Sequence, residues 1–147
     1  SIYGYKGHTA VDKTHGLVQA IEVTPANVYD GHMLMPLVDY LELPEETEVL
    51  ADKGYCSQDN EEALQERKLV SKIMQKKRKN QDMPKETKAF NYSVSTNRYR
   101  VERSFGGLKK HFRWGRSIYM GLQKTADFLF MGAIAFNLKR SLKILRA

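Results

Sequence analysis

The chain has 147 residues, 41% hydrophobic and 28% charged, which is enough apolar material for a core and too little polarity for a disordered chain. Mean hydropathy is −0.54, and the longest apolar stretch, Phe128–Phe136, falls far short of the ~20 residues that a membrane span needs. A single cysteine, Cys56, excludes an internal disulfide, no Cys/His cluster has zinc spacing, and the net charge is +7. No basic leader precedes an apolar run, so a soluble protein of cytoplasmic type is expected. The chain opens on Ser1 rather than Met, as a piece of a longer protein would.

Residues 5–12 and 17–24 are β-rich runs separated by Lys13-Thr14-His15-Gly16, which predicts a hairpin with a four-residue loop. The imperfect alternation of 17–24 suits a strand covered on both faces. Leu34, Leu37, Val38 and Leu41 then follow helical spacing, with Asp30 as N-cap. Pro36 fits better if the regular helix starts one turn later. Glu48–Asp52 reads as a short strand ending in an acid. A helix over 60–67, capped by Ser57 or Asp59, and a strand over 69–74 follow.

Residues 75–94 are polar, basic and aperiodic, and are expected to form a long loop. Helices at about 96–113 and 124–145 close the chain. The order β-β-α-β-α-β-loop-α-α predicts an α/β fold with a mixed sheet, because the opening pair is a hairpin.

Charge is distributed unevenly along these elements. Residues 1–66 hold 3 Lys/Arg against 13 Asp/Glu, residues 67–116 hold 16 against 3, and residues 117–147 hold 5 against 1. Tyr92, Tyr99, Phe112, Trp114 and Tyr119 accompany the basic block. That combination suits a polyanion such as DNA, since each neutralised phosphate releases counterions. The run Lys76-Lys77-Arg78-Lys79 by itself reads better as a solvated basic face.

On a helix over 96–113, Val101, Phe105, Leu108 and Phe112 form a narrow core stripe, bordered by a second stripe of Arg98, Glu102 and Lys109. One acid flanked by two cations at the edge of a buried face would be partly desolvated yet open to a cleft. The simpler reading is an i, i+4 ion pair from Arg98 to Glu102, worth only ~0.3–0.5 kcal/mol. Asp52 either caps the next turn or belongs to a site at the carboxyl ends of strands.

Asp52-Lys-Gly-Tyr55, followed by Arg98-x3-Glu102-x6-Lys109, resembles the DDE transposases of bacterial insertion sequences. Tyr3-Gly-Tyr-Lys-Gly-His8, Ala10-Val-Asp12, Val23-Thr-Pro-Ala-Asn-Val-Tyr-Asp30 and Phe105-Gly-Gly-Leu-Lys109 are similar to the same family's stretches, and the likeness covers essentially the whole chain. The family's longer signature has a Tyr three residues before the Arg, where this chain has Ser95.

The resemblance implies an RNase H-like fold in which three carboxylates converge on two divalent cations, Mg²⁺ or Mn²⁺. Asp52 matches the second acid and Glu102 the third. The first, with its strand, is expected upstream of Ser1, along with a separate DNA-binding segment. Asp12 is a poor substitute, because it ends a strand antiparallel to the absent one and so falls at the wrong edge of the sheet. Hard cations need carboxylate oxygens, which is why acids rather than histidines carry this chemistry.

By the same resemblance, Arg98 and Lys109 contact phosphates, while Lys76, Lys77, Arg78, Lys79, Arg113 and Arg116 track the DNA backbone. The implied partners are transposon-end and target DNA and a second copy of the protein, in the bacterial cytoplasm at the nucleoid. Two alternatives remain: a catalytically inactive, transposase-derived DNA-binding module, or an RNase H-like nuclease that never joins strands.

Other residues read as structural. His8, His15, His32 and His111 have no nucleophile or metal spacing, and Cys56 reads as a packed thiol. Gly106-Gly107 inside a helix suggests close approach of another backbone or of DNA. Phe128, Met131, Ala135, Leu138 and Leu142 form an apolar helical stripe, read as core packing rather than a partner groove.

Overall fold

The structure is a computed structural model that describes residues 4–77 and 79–146. It divides into two compact units, residues 29–99 and a second built from residues 1–28 and 100–147.

In the 29–99 unit, a 3-10 turn at Asp30–Met33 leads into helix α1, Leu34–Leu41. The regular helix therefore starts one turn after Asp30, which places Pro36 in its first turn, where a missing N–H is harmless. Strands β3 (Glu48–Ala51) and β4 (Val70–Ile73) pair in parallel, Ala51 opposite Ile73, joined through helix α2, Gln58–Glu66. The Ser57 hydroxyl caps α2 by accepting from the Asn60 N–H at 3.2 Å. Leu34, Val38, Val49, Leu64, Leu69 and Ile73 form the core, with Tyr55 and Cys56 packed against it. The Cys56 thiol is 3.6 Å from the Gln75 side-chain oxygen.

In the other unit, β1 (Tyr5–Val11) and β2 (Val18–Pro25) form an antiparallel hairpin with a register shift at Ala10/Val11. Asp12 closes its turn, its carboxylate accepting from the backbone N–H of Thr14 and of His15. Burial pushes this carboxyl up, but those N–H groups, that of Gly16 and the nearby His15 bring it below its ordinary value. His8 is buried and hydrogen-bonded to the Thr24 hydroxyl at 2.9 Å. Val18, Ile21 and Val23 of β2 pack with Leu108, Leu129 and Ala133 from helices α3 (Lys85–Phe112) and α4 (Leu122–Leu145).

Four expectations need correction. Helix α3 begins at Lys85, not near 96, so the basic loop shrinks to about 74–84. The stretch lacks a long apolar period because only Phe90 and Val94 anchor it. Val94 is buried, and Phe90 lies under the Lys72 ammonium at 5.9 Å. Tertiary contact thus overrides the poor helix propensity of its Asn, Ser and Thr residues.

The described strands form two separate two-stranded sheets rather than one mixed sheet, because β1 pairs only with β2 and β3 only with β4. The buried side of α4 is Thr125, Leu129, Gly132 and Ala133, whereas Met131, Ala135, Leu138 and Leu142 are exposed. A helix apolar on two sides gives periodicity no means of choosing between them. Finally, Gly107 serves close packing against a ring rather than a backbone: a Cβ there would lie 3.0 Å from Phe136, while Gly106 faces open space.

Candidate active site

Asp52 follows the last residue of β3 and begins a 3-10 turn, Lys53–Tyr55. Its carboxylate accepts from the Lys53 N–H at 2.6 Å, so the capping role foreseen for it is real. It also does more. The Arg98 guanidinium of α3 lies 3.6 Å from the other carboxylate oxygen, with the same nitrogen 3.7 Å from the Met74 sulfur. Met74 directly follows β4, so Arg98 sits over the carboxyl ends of both parallel strands, where α/β proteins gather ligands. Asp52 is 45% exposed and Arg98 20%, which leaves the acid open to solvent beside a largely sequestered cation.

Neighbouring groups fix this corner. The Tyr29 hydroxyl donates to the Gly54 carbonyl at 3.2 Å, and the Lys76 ammonium donates to the Cys56 carbonyl at 3.1 Å. Lys76 therefore braces the Asp-x-Gly-Tyr turn as well as adding positive charge. Burial raises the Tyr55 phenol above its usual range, helped by the charges of Asp30 and Asp52 and opposed by Arg98. It stays protonated at neutral pH.

Asn91 of α3 grips Gln75 on both sides, its carbonyl accepting the Gln75 N–H at 2.8 Å and its amide donating to the Gln75 carbonyl at 3.0 Å. This fixes the base of the basic loop. Asn91 escaped notice because an Asn in a polar stretch reads as loop. The signal available was that Phe90, Asn91, Val94 and Arg98 share one helical face.

Of the other cations singled out, Lys77 lies 3.5 Å from Asp82, Lys79 is exposed, and Arg78 lies outside the described residues. Glu102 and Lys109 are exposed positions of α3 in the other unit. Lys109 and Arg116 line a cavity of about 210 Å³ with Tyr5, Phe105, Trp114 and Phe128, and Arg113 is exposed where α3 ends in a left-handed turn.

The carboxylates of Asp52 and Glu102 are donors of the hardness that Mg²⁺ or Mn²⁺ requires. Among the described residues no group of three His, Cys, Asp or Glu side chains is placed to hold a metal ion. The Asp12 carboxylate is engaged in the hairpin turn.

Comparison with known proteins identifies the family. Residues 1–138 match the family model described as the transposase DDE domain, and the chain belongs to that family. More particularly, it is 38% identical over 144 residues to the transposase for insertion sequence element IS1106 of Neisseria meningitidis serogroup B, a match covering 98% of this chain and 49% of that protein. The chain thus spans about half the length of this curated relative. No solved structure matches it. No helix among the described residues is long and apolar enough to cross a membrane.

Proposed function

We propose that this chain is the Asp52- and Glu102-bearing part of a single RNase H-like catalytic domain, and that the whole transposase cuts and joins DNA at transposon ends. The observation that carries this reading is the Asp52–Arg98 ion pair. It links the Asp-x-Gly-Tyr turn to the Arg-x3-Glu-x6-Lys signature, although the two partners are 46 positions apart in sequence. Glu102 follows Arg98 by four positions in that signature, and in this reading it is this chain's second acid.

In this reading the first strand lies upstream of Ser1. It supplies the third carboxylate. Asp52 and Glu102 would then hold Mg²⁺ or Mn²⁺ together with that upstream acid. When bound, such a pair of cations makes a water or a 3′-hydroxyl nucleophilic and stabilises the leaving oxygen.

The chain's own side chains bind and orient. Arg98, braced by Asp52 and Met74, presents a planar guanidinium suited to two phosphate oxygens, and Lys109 adds a point charge. Lys76, Lys77, Lys79, Arg113 and Arg116 follow the DNA backbone without reading sequence, and Arg78 joins them in this proposal. The enzyme works as a homodimer on paired ends, in the bacterial cytoplasm at the nucleoid.

The test uses the full-length protein, incubated with transposon-end DNA and Mg²⁺. The expected result is a nick at the transposon end that EDTA abolishes, followed by joining of the freed 3′-hydroxyl to target DNA. Steeply salt-dependent binding without metal-dependent cutting would make the chain a DNA-binding module instead. Cutting without joining would make it a nuclease.

A further inference from the structure

Three consecutive carbonyls of the turn after Asp52 each accept a hydrogen bond from a side chain on a different segment. The Tyr29 hydroxyl donates to Gly54 at 3.2 Å, the Asn60 amide to Tyr55 at 2.8 Å and the Lys76 ammonium to Cys56 at 3.1 Å. Tyr29 precedes the Asp30–Met33 turn, Asn60 lies in the first turn of α2 and Lys76 follows β4, all within the 29–99 unit. The turn closes bonds of its own from the Tyr55 N–H to the Asp52 carbonyl at 2.9 Å and from the Cys56 N–H to the Lys53 carbonyl at 3.2 Å. A single 3-10 turn gains little rigidity from such bonds alone, so the outside donors matter.

Two of those donors are tied together through Gly31. The buried Asn60 side chain also donates to the Gly31 carbonyl at 3.0 Å. Gly31 makes room for Tyr29, because a Cβ there would strike the Tyr29 ring. That ring meets His32 edge-on with centroids 5.3 Å apart, and the Lys76 ammonium lies 3.4 Å from the Tyr29 hydroxyl.

The braced turn aims the Asp52 carboxylate. One of its oxygens accepts the Lys53 N–H at 2.6 Å, so the direction of that N–H sets where the group points, while Arg98 faces the other oxygen at 3.6 Å. We infer that Tyr29 is a positioning residue: through Gly54 its hydroxyl holds the turn, and with it the Asp52 carboxylate, in the orientation that takes up a divalent cation. The inference rests on the metal-binding role proposed above for Asp52. Tyr29 is 50% exposed, so loss of its hydroxyl removes a bond to the turn and no buried apolar contact. Groups that orient a metal ligand from behind commonly set affinity by about 10–100-fold.

The experiment measures Mn²⁺ binding to the full-length protein without DNA by electron paramagnetic resonance, with amide exchange and thermal unfolding read on the same preparations. Tyr29→Phe should weaken Mn²⁺ binding about tenfold and speed exchange of the Tyr55 and Cys56 amides, while the unfolding temperature stays that of wild type. Gly31→Ala, which displaces the ring but keeps the hydroxyl, should reproduce both effects. Asp52→Asn should weaken Mn²⁺ at least as much. Faster exchange in Tyr29→Phe with unchanged Mn²⁺ affinity would make the bond merely structural and overturn the inference. So would a loss of affinity in Asp52→Asn that Tyr29→Phe does not share, which leaves the metal-binding reading standing. Wild-type Mn²⁺ affinity in Asp52→Asn would overturn that reading and the inference together.

Discussion

The 29–99 unit and the hairpin unit use the same fastening at opposite ends of a strand. In the first, Asn91 of α3 holds the N–H and carbonyl of Gln75, just past the end of β4. In the second, Asn137 of α4 holds the N–H and carbonyl of Val18, the first residue of β2, at 2.9 and 2.8 Å. Each amide replaces a strand neighbour by satisfying a donor and an acceptor at once. The placement differs in consequence. Asn91 fastens the strand end beside Asp52 and Arg98, where the candidate chemistry gathers. Asn137 fastens α4 to the hairpin and leaves its far side bare. A common device thus fastens the end of β4 in one unit and the start of β2 in the other.

Substitutions specific to one unit can break that comparison, and hydrogen exchange read peptide by peptide can tell the units apart. The largest effect is expected from Gly132→Ala. A Cβ there would meet the Trp114 indole nitrogen at 2.6 Å, within a packed helix contact. A loss of about 2–3 kcal/mol in the hairpin unit is expected. Unchanged exchange there would mean that the indole yields freely.

Asn91→Ala and Asn137→Ala should each cost about 2 kcal/mol, because each leaves a backbone donor and acceptor without their partner. Asn91→Ala should speed exchange in β4 and the loop after it, and Asn137→Ala in β2. If either variant loosens both units equally, the two are not separate in stability.

Asp12→Asn should cost the hairpin about 1 kcal/mol at neutral pH, by analogy with loss of a helix cap. The folded Asp12 carboxyl lies below its ordinary value of 3.8, so its contribution is fully present above that value. It disappears as pH falls through the lower, folded value. Acid titration of unfolding should therefore bring wild type and variant together below pH 3.8, and a gap that widens in acid would contradict the turn's role.

The smallest effect is a gain. Gly106→Ala places a methyl in open space and should stabilise α3 by ~0.5–1 kcal/mol. DNA affinity should stay the same unless a phosphate backbone approaches that residue.

Local rules made most of this fold legible. Turn chemistry at 13–16, the late helix start implied by Pro36 and the Ser57 cap all depend on neighbours within a few residues, and all are found. Asp52 and Arg98 were legible as separate candidates, one at a strand end and one on a helix stripe. Their contact was not, because nothing in either segment specifies a partner 46 positions away. The first turns of α3 were missed for a related reason. Phe90, Asn91 and Val94 are helical because of what they touch, not because of their own preferences. On α4 the composition suited two opposite faces equally, and only the position of β2 decides which one is buried.

The role proposed for Asp52 and Glu102 is metal-dependent chemistry, which Asp52 would carry in addition to capping its turn. It is tested most directly by measuring cleavage, DNA affinity and unfolding on the same preparations of full-length Asp52→Asn and Glu102→Gln. Cleavage should fall about a thousandfold or more in both, with binding and stability nearly unchanged. Full cutting by either variant would contradict the claim.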